Sequence, residues 1–73
     1  MMPRFIINKN AQANGDHEVH NANAGCDYMP QLVNQVDLGT HSSCAGAVAK
    51  ARSQWPGSRI NGCYYCSNSC HTT

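Results

Sequence analysis

Apolar residues in this chain come in short, separated runs, and the spacing of those runs predicts its elements. Residues 4–9 carry Phe5-Ile6-Ile7, an aromatic and β-branched run that reads as a strand. Ala13-Asn14-Gly15-Asp16 follows, and Asn-Gly tolerates the positive φ of a tight hairpin turn. His17-Glu18-Val19-His20 then returns as a second strand. Alternate strand residues share a face, so Glu18 and His20 are expected on one side and His17 and Val19 on the other. Residues 21–25 read as a loop closed by Cys26, with Asp27-Tyr28-Met29-Pro30 continuing irregularly. From Asn34 to Leu38, Val36 and Leu38 alternate with Gln35 and Asp37 as a third strand, which Gly39 ends.

The period then changes. Cys44, Val48, Ala51 and Trp55 recur as one helical stripe, with Ala45, Ala47 and Ala49 between them and Gly46 weakening the run. Thr40-His41-Ser42-Ser43 offers helix caps, and His41 is read as a loop or capping residue rather than a ligand. Lys50 and Arg52 sit late in the helix, where its dipole favours cations, and Pro56-Gly57 stops it. Ile60 and Gly62 lead into a cysteine-rich tail. The expected architecture is α+β: an N-terminal β-hairpin plus a third strand packed against one helix, then a C-terminal Cys-x-x-Cys turn. Residues 1–73 form a single domain with its core at about 4–71.

Composition adds a problem to this picture. Leu, Ile, Val and Phe number ten of 73 residues, below the roughly 20% of an ordinary packed core. The net charge of +1 supplies neither a basic nucleic-acid arm nor the charge excess of a disordered chain. Something besides apolar burial must hold the fold, and five Cys and four His offer a metal or disulfides. The opening MMPRFIINKN lacks the apolar stretch of a secretory signal, and no run is long enough to span a bilayer. The expected compartment is therefore cytoplasmic, where clustered cysteines bind metal more often than they pair.

Cys63-x-x-Cys66 is the strongest chemical signal. Two thiolates at this spacing bind one metal from a tight turn, which suits tetrahedral Zn²⁺. His20, ending the hairpin, and Cys26, six residues on, form the natural second pair. His20, Cys26, Cys63 and Cys66 then make a Cys₃His site holding one structural zinc. Cys70 or His71 could replace His20 or Cys26, since Cys66-x-x-x-Cys70 also has ligand spacing. Cys44 reads as a small core residue on the helical stripe, and a Cys44–Cys70 disulfide is the alternative for the two cysteines left over. His17-Glu18-Val19-His20 is not the HExxH protease signature, which needs five residues on a helix. Trp55 belongs to the core. Of Tyr64 and Tyr65, one is expected to pack beside the metal turn and the other to be exposed.

A hairpin ending in His20, then Cys26, a strand, a helix of the form Cys-x-x-Ala-Val-x-x-Ala and Gly62-Cys63-Tyr64-Tyr65-Cys66 resembles the Ada-type metal-binding fold over residues 16–66. That family includes the zinc domain of the methylphosphotriester DNA repair protein and shorter relatives attached to nucleases. The repair protein uses four cysteines and methylates one of them. His20 stands where the first would be, and the resemblance to relatives with His there implies a structural zinc. The whole chain is also similar to a group of small bacterial proteins with INKNAQ, NGDHEVH and GCYYC-type segments. The resulting expectation is a non-enzymatic, monomeric zinc domain that binds a protein partner and no membrane. A nucleic-acid-binding module is the alternative. A zinc-thiolate alkyl acceptor, with Cys26 as nucleophile, is a further one.

Overall fold

The computed structural model describes residues 2–72; the outermost residues of the expected domain, Met1 and Thr73, lie outside the described residues. Strands β1 (Arg4–Asn8), β2 (Asp16–Asn21), β3 (Gln35–Thr40) and β4 (Arg59–Gly62) form one mixed sheet in the order β3-β1-β2-β4. A single helix, α1 (Cys44–Gln54), joins β3 to β4. Short 3-10 turns occupy Leu32–Asn34 and Asn68–Cys70. The chain is thus α+β, with one strand more than the sequence pattern announces. No helix among the described residues is long and apolar enough to cross a membrane.

The β1–β2 hairpin pairs antiparallel, with Ile6 opposite His20 and Ile7 opposite Val19. Gly15 takes the positive φ of 91° that the turn before β2 requires. Both faces of β1 are covered, which is why the unbroken run Phe5-Ile6-Ile7 is buried throughout. Phe5 and Ile7 join Val19, Leu38 and Ile60 under α1, whose Cys44, Ala47, Val48 and Ala51 supply the other half of the core. Trp55 is partly buried against the edge of that cluster, as the helical stripe implies. Ile6 points to the opposite face, beside His20. The alternation expected in β2 therefore holds: Val19 lies under the helix, and His20 lies on the far side of the sheet.

Two expected features change. Gly39 does not end β3; it sits inside it at a φ of 82°, where Phe5 pairs with Gly39 and Ile6 with Asp37, leaving Leu38 unpaired. This is a β-bulge, the usual meaning of a lone glycine within a strand. It turns Leu38 fully into the core. The region read as a lead-in to the tail is β4, parallel to β2, with Asp16 opposite Arg59 and Val19 opposite Gly62. Polar contacts set this register. Asp16 is buried and pairs with Arg59 at 2.9 Å, while the Asn61 amide donates to Asp16 Oδ2 at 3.4 Å. Asn61 Oδ1 in turn accepts the Thr72 amide at 3.0 Å.

Gly46, unfavourable in a helix interior, has a packing reason. A Cβ there would come within 2.9 Å of His41 Nδ1, and His41 Nε2 lies 2.7 Å from the Leu38 carbonyl. Ser43 is the N-cap by backbone conformation, without a side-chain cap bond.

Candidate metal centre

Parallel pairing of β2 with β4 brings the ends of two distant segments together. The ladder continues one step past β4, where the Cys63 amide donates to the Val19 carbonyl at 2.9 Å. Cys63 therefore lies next to His20, and both are 1% exposed. After Cys63 the chain turns, the Ser67 amide donating to the Cys63 carbonyl, and Cys66 comes back over the same spot. Cys26 reaches it from the loop after β2. That loop is shaped by Asn21 Oδ1, which accepts the amides of Asn23 and Ala24 at 3.0 Å each, and by Gly25 at a φ of 69°.

The donor atoms of His20, Cys26, Cys63 and Cys66 all lie within 4.8 Å of one another, close enough to hold a metal ion. A tetrahedral ion with metal–sulfur bonds of about 2.3 Å and a metal–nitrogen bond of about 2.05 Å requires S···S edges near 3.8 Å and N···S edges near 3.6 Å. Cys26 Sγ is 3.9 Å from Cys63 Sγ, and His20 Nδ1 is 3.6 Å from Cys26 Sγ and 3.4 Å from Cys66 Sγ. Three of the six donor–donor edges thus match a four-coordinate ion closely, and all six lie within 4.8 Å.

The surroundings favour ligation. His20 turns its other nitrogen, Nε2, toward Glu18 Oε1 at 3.9 Å, which leaves Nδ1 facing the three sulfurs. Burial lowers the His20 pKa, against the opposing pull of Glu18, which favours the neutral imidazole that a metal needs. Burial pushes the Cys66 thiol up to about 12, although the Asn21 amide, donating to its sulfur at 3.4 Å, works the other way. Burial also raises Cys26, opposed by a backbone hydrogen bond from Tyr28. Burial thus favours the neutral thiols, and a divalent cation would reverse the preference to thiolate.

The remaining cysteines are not ligands. Cys44 and Cys70 form a disulfide, tying the start of α1 to the Asn68–Cys70 turn. Cys44 is both the core residue that the helical stripe implies and half of the cross-link offered as the alternative for the two cysteines left over. Cys70 is accordingly outside the cluster. His71 is outside it as well, its Nδ1 lying 3.0 Å from the Gly62 carbonyl. Only Cys26, Cys63 and Cys66 are free, which accounts for the odd cysteine count.

Tyr64 and Tyr65, between the two turn cysteines, are both exposed, correcting the expectation that one packs inward. Tyr65 stacks instead on Tyr28, with centroids 4.5 Å apart and planes at 16°. Tyr28 follows the candidate ligand Cys26 by two residues, the one hint in the sequence that it belongs to this site. No family model, curated protein or solved structure matches the chain.

Proposed function

We propose that this protein is a small zinc-stapled module that binds a protein partner and performs no catalysis. The convergence of His20, Cys26, Cys63 and Cys66 carries the reading. Three sulfurs and one imidazole nitrogen make a donor set suited to zinc, and four protein ligands leave no position for a reactive water. The ion clamps the hairpin to the Cys63–Cys66 turn and supplies much of the folding free energy, ~10–16 kcal/mol by analogy with zinc-finger peptides. That contribution makes up for the short apolar inventory. The exposed Tyr64-Tyr65 turn is the contact face, because aromatic residues clustered at a surface favour association.

Native mass spectrometry of protein purified without chelator tests the staple. One zinc per chain in the native spectrum, and a mass two hydrogen atoms below the fully reduced chain once the ion is removed, are expected. A metal-free folded protein refutes it. Partial exposure of Cys26 supports a second reading, an alkyl acceptor in which the Cys26 thiolate displaces a leaving group to form a thioether. Selective alkylation of Cys26 in the zinc-loaded protein would favour that reading. Nucleic-acid binding, the third, calls for a steep loss of affinity with salt.

A further inference from the structure

Beside the metal centre lies an open cavity of about 410 Å³, lined by Asn8, Gln12, Glu18, Tyr28, Tyr64 and Tyr65. Its composition is unusual for this chain. Three of the five aromatic residues line it, and all three are more than half exposed. Tyr65 lies flat on Tyr28, while Tyr64 meets Tyr65 at 74° with centroids 5.1 Å apart. The three rings thus line the cavity together, with one face of Tyr28 and one of Tyr65 covered by their stacking. Glu18 is the only charged residue in the lining. Its side chain is largely buried and held toward His20.

The electrostatics of this cavity have one sign. Aromatic faces carry the negative lobe of the ring quadrupole and attract cations. Glu18 adds a full negative charge. Three thiolates around a divalent ion leave the adjacent metal centre at a net charge of −1, which deepens the same potential. No lysine or arginine lines the cavity to cancel it. A strongly hydrated small cation would gain little from aromatic walls, whereas an alkylated ammonium offers them apolar surface and positive charge together.

We propose that the Tyr28–Tyr64–Tyr65 cleft, with Glu18 in its wall, binds an alkylated ammonium group such as a quaternary amine on a partner molecule. This rests on the reading of the protein as a binding module and names the chemistry its contact face selects. The metal centre sets the cleft's shape, because Tyr28 follows one ligand and Tyr64 and Tyr65 lie between two others.

The test is an NMR titration of the zinc-loaded protein with choline and with its neutral isostere, 3,3-dimethylbutan-1-ol. Choline is expected to shift the ring signals of Tyr28, Tyr64 and Tyr65 and the Glu18 side chain, and to bind about 3- to 10-fold more tightly than the alcohol. Tyr65→Ala, at an exposed position, should weaken choline about 3- to 10-fold and the alcohol by less, and Glu18→Gln should weaken choline about 3- to 10-fold with little effect on the alcohol. Equal binding of the two probes overturns the proposal, as does an absence of shifts at these residues. If Glu18→Gln disturbs the fold through His20, Tyr65→Ala alone decides. Zinc analysis of the same sample is read separately. A protein that holds zinc and captures a partner through Tyr64 and Tyr65 but ignores choline would retain the module and lose this inference.

Discussion

Replacing both halves of the Cys44–Cys70 disulfide by alanine should cost this protein a large share of its stability. The bridge spans 26 residues of chain. Loop-closure entropy for a loop of that length gives about 3.5 kcal/mol at 25 °C, by destabilising the unfolded state. A domain of 73 residues has a total of roughly 4–11 kcal/mol. The full effect requires an unfolded chain with no other cross-link around the same loop. The proposed zinc staple would meet that condition, since unfolding that releases the ion would free residues 20, 26, 63 and 66 together. The assay is urea unfolding of both proteins at one fixed free zinc concentration, because any ion binding only the folded state shifts the midpoint. With a slope near 1–1.5 kcal/mol per M, the midpoint should fall by roughly 2–3.5 M. A fall worth under about 1 kcal/mol would refute the reasoning. It would mean that the denatured chain is already constrained across this loop, as by an ion still joining residue 20 or 26 to residue 63 or 66.

Cys63→Ser removes a ligand that is 1% exposed at the end of β4, and should abolish both zinc binding and native amide dispersion; a variant that keeps its spectrum would exclude a staple through this residue. Zinc affinity should rise with pH by at least two decades per unit near neutrality, because Cys66, pushed up to about 12, and Cys26, also raised, must each lose a proton on binding. Chelator competition between about pH 6 and about pH 8 measures that slope, and a pH-independent affinity would contradict it. His20 acts in the same direction: its lowered folded pKa contributes stability above its unfolded value of about 6.5, which is lost as pH falls toward the folded value, so acid should weaken the fold even before the thiols compete. Gly62→Ala would place a Cβ 2.6 Å from Cys70 Cβ and 2.7 Å from the Ser67 carbonyl, and should cost about 1–3 kcal/mol by overpacking the disulfide turn; an unchanged urea midpoint would show that the turn yields freely.

The hairpin, the third strand and the helix were legible because each has an apolar period of its own: the run Phe5-Ile6-Ile7, the alternation of Val36 and Leu38, the stripe from Cys44 to Trp55. The fourth strand has none. Ile60 is its one large apolar residue, and its place beside β2 depends on Asp16, Arg59 and Asn61, whose pairing across more than forty residues leaves no local trace. Gly39 was read by its commonest local meaning, a terminator, whereas the register of β1 decides that it is a bulge. The four donors the structure gathers are those the spacing nominated, since ligand chemistry restricts the choice to few residue types. The disulfide was visible only as a remainder: five cysteines less three ligands leave Cys44 and Cys70, and nothing in their spacing says that α1 begins over the final turn. The tyrosine cleft was hidden for the same reason as β4, because Tyr28 meets Tyr65 only after the metal loop and the Cys63–Cys66 turn have closed on each other.

The disulfide, together with a metal ion held at the four donors as proposed, would explain how so small a core can coexist with so much exposed aromatic surface. The metal donors lie on one face of the sheet, at the ends of β2 and β4, and the disulfide lies on the helical side, at the start of α1. Both converge on residues 63–70, a stretch with little regular structure beyond one 3-10 turn. Each side of the sheet therefore has its own attachment to that segment. The tail needs no apolar side chains of its own to stay in place, and Tyr64 and Tyr65 are released from core duty. In a chain held by apolar burial alone, two adjacent tyrosines would be the obvious residues to turn inward. Here they project beside Tyr28 with Glu18 behind them, and on the proposed reading the same disulfide and metal bonds that dispense with a larger core would set the geometry of this surface.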